Sequence, residues 1–243
     1  MKNKPKLLIL LFAVLFGNLY SNAQFKITLC GADESSFILS FAPNVLPARM
    51  FEGGAGHLKY YIDFGTPLSG EPEGEVNEEG TVFTNFHNLN GTLNASREIT
   101  VNVPSNIYPN YYKNGSVTLT NTVNGCQETF SLQVDVLYPA SIMVQKWNDV
   151  VALQNKEHNG GYIFYGYQWY NNGKIMADQT GSYIKAFETN VFVIYQDGNV
   201  KHKFFKEGDK FSVLLKRFDG TKVMSCPLVF VWRYNPSGTP VIH

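Results

Sequence analysis

Apolar and polar residues alternate with a period of two along much of this chain. Between residues 130 and 136, Phe130, Leu132, Val134 and Val136 share one side, and Ser131, Gln133 and Asp135 share the other. Phe25, Ile27 and Leu29 repeat the pattern in the run 25–29. Successive side chains of a strand point to opposite faces, so this spacing predicts strands with one face buried. Residues 37–41, 98–103 and 116–120 read the same way. Asn90-Gly91, Asn114-Gly115, Asn124-Gly125, Asn159-Gly160-Gly161, Asn172-Gly173 and Asp219-Gly220 punctuate the runs with residues that tolerate positive φ. No long 3.6-residue apolar period occurs. The one helical candidate, residues 147–153, is short and rich in valine, so the pattern predicts an all-β protein.

The N-terminus follows a different rule. Lys2, Lys4 and Lys6 precede an uninterrupted apolar run over residues 7–16, and Ser21-Asn22-Ala23 supplies small residues at a cleavage position. This is the pattern of a signal peptide over residues 1–23, with a mature chain starting at Gln24. Ten apolar residues are half of the roughly 20 that a membrane-spanning helix needs, so no transmembrane segment is expected in the mature chain. A second break falls at Leu137-Tyr138-Pro139, where proline cannot donate to a continuing ladder. The expected organisation is one β-sandwich over 24–137, a second over 138–231, and a C-terminal tail over 232–243.

Charge narrows the partners. Removal of the three leader lysines leaves 17 basic against 20 acidic side chains, a net charge of −3. A nucleic-acid binder normally carries a basic excess to neutralise phosphates, so no nucleic-acid partner is expected.

Several pieces resemble known modules of exported proteins. The run Leu58-Lys59-Tyr60-Tyr61-Ile62-Asp63-Phe64-Gly65 resembles the strand and turn of polycystic-kidney-disease (PKD) repeats. Cys30-Gly31 and Asn124-Gly125-Cys126 resemble the paired cysteines of PKD-like repeats in secreted proteins of the Bacteroidota type. In the second half, residues 144–150, Tyr167-Gln168-Trp169-Tyr170, residues 180–183 and Asp219-Gly220 leading to Ser225-Cys226-Pro227 resemble an immunoglobulin-like repeat of the same proteins. The resemblance implies two tandem β-sandwiches, PKD-like then immunoglobulin-like, with Trp169 plugging the second. Asp209, Phe211 and Val213 stand where immunoglobulin domains often carry Asp-x-Tyr-x-Cys, so Trp169, Phe211 and Val213 form the expected core signature without an inter-sheet disulfide. Of three cysteines in an exported chain one is left over. Cys30 with Cys126 is the expected disulfide, tying the first strand to the last hairpin of the first domain, and Cys226 is expected as a small buried hydrophobe.

Chemistry-bearing residues are sparse. His57, His87, His158, His202 and His243 have no metal-ligand spacing, and no Gly-x-Ser-x-Gly elbow occurs. No catalytic residues, metal ligands or cofactor are assigned. The acidic stretch over residues 71–80 reads as a solvated insertion rather than a calcium loop. Period two places Tyr165 and Tyr167 with Trp169 on one face, and Phe164, Gln168 and Tyr170 on the other. With Trp169 inside, Phe164 and Tyr170 become a candidate binding surface, and Tyr111 and Tyr112 give the first domain a second one.

The functional expectation is a non-catalytic, exported envelope or cell-surface binding or adhesion module. Its destination is periplasmic, outer-membrane-associated or extracellular, and its partner is a surface glycan or an envelope protein. A structural or accessory subunit of an exported envelope assembly is the alternative. A carbohydrate-active enzyme is a third reading, with no carboxylate pair singled out for it.

Overall fold

The computed structural model describes residues 24–42, 45–70, 75–186, 193–194, 201–202 and 205–233. The expected leader over 1–23, residues 71–74 of the acidic stretch and residues 234–243 of the expected tail lie outside them. Strands dominate, and the helical pieces among the described residues are 3-10 turns of three or four residues. The chain divides into two compact units. Met1–Glu73 with Phe83–Leu137 forms the first, and Gly74–Val82 with Tyr138–His243 forms the second.

Among the described residues, the first unit contains eight strands: β1 (Gln24–Cys30), β2 (Ser36–Ser40), β3 (Leu58–Asp63), β4 (Thr66–Pro67), β5 (Leu89–Thr92), β6 (Glu98–Asn102), β7 (Asn110–Asn121) and β8 (Gln127–Leu137). One sheet runs β1-β8-β7-β3-β5, with β4 also on β7, and a second sheet pairs β2 with β6. The period-two pattern supplies the core between them. Ile27 and Leu29 from β1, Leu132, Val134 and Val136 from β8, Phe37 and Leu39 from β2, and Ile99 and Val101 from β6 are all buried in one cluster. Phe25, Phe41 and Phe130 pack edge to face within it, with centroids 5.3–6.1 Å apart.

Asp63-Phe64-Gly65 is where the chain steps from β3 to β4. The Gly65 N–H donates to Asp63 Oδ1 at 2.8 Å, and Gly65 has φ +76°. A β-carbon at Gly65 would lie 2.1 Å from the Lys113 carbonyl oxygen, so only glycine fits. The neighbouring stretch of β7 is a bulge, where pairing with β8 shifts between Tyr112 and Gly115. Asn114-Gly115 therefore does not reverse the chain, as its composition predicts, but kinks a continuous strand. Asn90-Gly91 likewise lies inside β5, paired with Tyr60 and Tyr61.

The second unit holds β9 (Met143–Lys146), β10 (Val150–Leu153), β11 (Gly166–Asn171), β12 (Lys174–Ile175), β13 (Tyr183–Lys185), β14 (Val193–Ile194), β15 (Lys201–His202), β16 (Lys210–Lys216), β17 (Lys222–Met224) and β18 (Leu228–Val229). Its sheets run β13-β10-β9 and β12-β11-β16-β17, with β18 also on β16 and a separate β14–β15 pair. The helical candidate over 147–153 is the turn and second strand of the β9–β10 hairpin, with Trp147 at φ +54°. β-branched Val150 and Val151 suit a buried strand better than a helix.

Trp169 is wholly buried on β11, directly opposite Val213 of β16, and its indole N–H donates to the Gly181 carbonyl at 2.8 Å. Phe211, also buried, packs against Phe205 and Phe230 at 4.5 and 6.1 Å. The pairing of β11 with β16 in one antiparallel sheet and of β10 with β13 in the other makes an immunoglobulin-like sandwich. The first unit repeats the scheme, with β2 on β6 and β3 on β7, so the protein is all-β with two sandwiches. Gln145 exchanges two hydrogen bonds with the backbone of Val231, and Asn148 two with Arg233. These bonds reach Val231 and Arg233.

The cysteine pairing differs from the expectation. Cys30 and Cys226 are disulfide-bonded to each other, and Cys126 is a free thiol. The reason is strand direction. β1 runs parallel to β8, with Cys30 opposite Leu137, whereas Cys126 precedes the first residue of β8. At roughly 3.3 Å per residue, the 11 residues from Cys126 to Leu137 span about 36 Å along that strand. Cys226 takes a different place, donating its N–H at 2.7 Å to the carbonyl of Tyr138, the residue after Leu137.

Candidate functional site

The aromatic residues singled out by parity are distributed differently from the expectation. Tyr112 is 1% exposed, so it is no surface residue. Its hydroxyl accepts from Phe86 N–H and donates to Asn85 Oδ1, both at 2.9 Å, within a buried network that includes Asn110. The bulge after Tyr112 is what turns this ring inward. Tyr111 is half-buried on β7, and its carbonyl accepts the Leu68 N–H.

Phe164 is half-buried, lying edge-on to Tyr138 at 5.1 Å and alongside Tyr162 at 6.2 Å, so it packs rather than projects. Tyr170 is half-buried on the outward face of β11. Within the second unit, Phe164 and Tyr170 are therefore both half-buried and do not form a projecting pair. Tyr165 is the side chain that projects, at 59% exposure. Regular pairing of β11 starts only at Gly166, so the parity read from Trp169 does not extend back to Tyr165.

The second unit has two further surface features. The first is a cleft of about 440 Å³ lined by Val76, Asn77, Glu78, Lys156, Glu157, His158 and Gly161. Its two walls are a short turn closed by the Val76–Val82 bridge and the loop over residues 155–161. They meet at Gly161, where φ is +87° and an added β-carbon would lie 2.2 Å from the Val76 carbonyl oxygen. Glu78 Oε1 accepts the Gly160 N–H at 3.1 Å, and Asn77 Oδ1 accepts the Thr81 N–H at 2.8 Å. Asn159 fastens the loop from beneath through the backbone of Tyr162 and Gln154. The cleft mixes ammonium, imidazole, amide and carboxylate groups with one apolar wall. Among the described residues, no group of three or more His, Cys, Asp or Glu is placed to hold a metal ion.

The second feature is the tip of the β16–β17 hairpin. Phe218 is 84% exposed there, with its ring 5.5 Å from that of Tyr165. The tip is well braced. Arg217 and Thr221 are joined by an N–H to carbonyl bond at 2.9 Å, Gly220 donates to the Arg217 carbonyl, and Asp219 Oδ1 accepts from Thr221 N–H and Oγ1. Arg217 itself points inward and donates from Nε to the buried Tyr138 hydroxyl at 3.0 Å. The sequence offered a clue to Phe218 in an aromatic residue immediately before Asp219-Gly220, but the alternation of the flanking strands masked it.

No family model and no curated protein matches this chain. Among solved structures, the N-terminal four immunoglobulin domains of Dscam1 isoform 6.9 align at 12% identity with a TM-score of 0.23, covering 83% of this chain and 41% of that one. Dscam1 isoform 7.44 aligns at 11% identity and a TM-score of 0.23, covering 85% and 42%. The chain thus spans about two fifths of the length of these structures. The immunoglobulin-like architecture rests on the strand pairing of the chain itself.

Proposed function

We propose that this protein is a non-catalytic binding module of the bacterial envelope, which takes part of a surface glycan into the cleft of the second unit. The observation that carries this reading is the cleft's size and lining. A volume of about 440 Å³ suits a small ligand, and Lys156, His158 and Asn77 stand beside Glu78 and Glu157. Sugar hydroxyls both donate and accept hydrogen bonds, so a lining of both kinds matches them. Export is supported by the leader-like residues 1–23, and an attachment role by the resemblance to PKD-like and immunoglobulin-like repeats.

A glycan array probed with residues 24–243 tests the reading. Binding to a restricted set of glycans is expected, abolished by Lys156→Ala with His158→Ala and weakened by Gly161→Ala. Uniform blanks would remove the glycan, and release of reducing ends from a bound glycan would overturn the non-catalytic role. Fractionation and protease shaving of intact cells test the address; a cytoplasmic protein would contradict it.

A further inference from the structure

We propose that the β16–β17 hairpin tip docks the protein onto an anionic lipid surface, with Phe218 and Tyr165 entering the interface and Lys216 and Lys222 meeting the headgroups. This stands apart from the cleft and does not depend on glycan binding.

Three observations converge on it. Phe218 is the most exposed large hydrophobic side chain among the described residues, and it has Tyr165 beside it rather than a covering element. An aromatic residue left in water on a hairpin tip serves neither the core nor the turn, because Asp219, Gly220 and Thr221 already close that turn. The ring planes of Phe218 and Tyr165 meet at 58°, forming a wedge rather than the flat platform on which a sugar face stacks.

The charge pattern selects the surface. Lys216 and Lys222 are direct cross-strand partners at the neck of the hairpin, and both are exposed. Like charges directly opposite each other repel, and an anion placed between them relieves that repulsion. Gly166 is the partner of Lys216 on the other side, and its missing side chain lets the lysine stem lie across it. Asp219 is the acidic residue of the tip, and its Oδ1 is engaged by Thr221. An aromatic wedge ringed by lysines matches an interface whose headgroups are anionic and whose interior is apolar. The inward-pointing Arg217 holds the wedge in place, so little ordering is needed on contact.

Co-sedimentation of residues 24–243 with vesicles tests the proposal. The protein is expected to sediment with vesicles of phosphatidylcholine and phosphatidylglycerol at 70:30 and to stay in solution with phosphatidylcholine alone. Phe218→Ser is expected to lower partitioning about tenfold, and Lys216→Gln with Lys222→Gln about 25-fold, taking about fivefold per lysine. Both variants alter exposed side chains, so unchanged melting curves and unchanged glycan-array profiles are expected of them. Equal sedimentation with neutral and anionic vesicles, no sedimentation, or variants that bind like the parent would each overturn the proposal. Capture by a soluble acidic polysaccharide without vesicle binding would overturn it too, assigning the lysines to a different partner.

Discussion

Asn172 and Asp209 lock the end of the tryptophan strand to its neighbour. The Asn172 side-chain amide donates to Asp209 Oδ1 at 2.8 Å, and Asn172 Oδ1 accepts the Lys210 N–H at 3.0 Å. Asn172 and Gly173 both have positive φ, at 49° and 76°, so they form the two-residue loop between β11 and β12. Asp209 also accepts from Lys206 N–H and from the Asn171 amide. The aspartate of the expected Asp-x-Phe-x-Val signature thus fastens a hairpin, while Phe211 and Val213 fill the core.

Replacing Asp209 should therefore loosen the second unit. Asp209→Ala removes a nearly buried carboxylate and leaves three donors to find other partners. A loss of roughly 2–4 kcal/mol in stability is expected, read by urea unfolding with far-ultraviolet circular dichroism. A loss below 0.5 kcal/mol would mean that water replaces the carboxylate without cost.

Gly65 tests the close approach in the first unit. Gly65→Ala places a methyl group against the Lys113 carbonyl at a backbone angle that disfavours L residues. Destabilisation of about 2 kcal/mol or more is expected from strain and overpacking together. Gly125→Ala is the control. It also has positive φ but nothing within 4 Å of its added carbon, so it should cost less.

Glu34 gives a pH dependence of predictable sign. Burial, reinforced by the neighbouring charge of Asp33, raises its carboxyl above the ordinary value of 4.5. One of its oxygens, Oε2, is buried without a hydrogen-bond partner. The folded state therefore holds this proton more tightly than the unfolded state. Its stabilising contribution is complete below pH 4.5 and is lost as pH rises through the raised folded value. Glu34→Gln should melt at a higher temperature than the parent at pH 7, and the gap should close below pH 4.5. A gap that persists at pH 4 would assign the effect to packing instead of charge.

The thiols give a direct chemical readout. Peptide mapping without reduction should recover Cys30 joined to Cys226, and alkylation of the unreduced, denatured chain should label Cys126 alone. Recovery of Cys30 with Cys126 would contradict the parallel pairing of β1 with β8. Cys126 is half-buried against the core of the first unit, so labelling in the native state should be slower than after denaturation.

Much of the architecture was legible in the order of residues, because a strand's period-two pattern is a local property. Phe25, Ile27 and Leu29 in β1 and Phe130, Leu132, Val134 and Val136 in β8 point inward as their alternation requires. Trp169 is buried because an indole within an alternating aromatic strand has nowhere better to go, and Val213 comes to lie opposite it. The Asn172-Gly173 and Asp219-Gly220 turns follow from positive φ, which few other residues accept.

Other features depended on partners distant in the chain. A dipeptide such as Asn114-Gly115 announces positive φ but does not distinguish a reversal from a bulge, and the pairing of β7 with β8 made it a bulge. That bulge buried Tyr112. Parity alone placed Tyr165 beside Trp169, whereas strand pairing begins one residue too late to hold it there. The Glu78–Gly160 bond spans 82 residues, and the cleft it helps close has no local signature.

The sequence by itself determined the all-β class, the inward faces of the main strands and the burial of Trp169, since side-chain alternation and turn chemistry act over a few residues. Tertiary structure alone decided which cysteines join, which aromatic rings meet water and where a cleft opens. Those outcomes hang on strand direction and register, which are set by cooperative packing of distant segments.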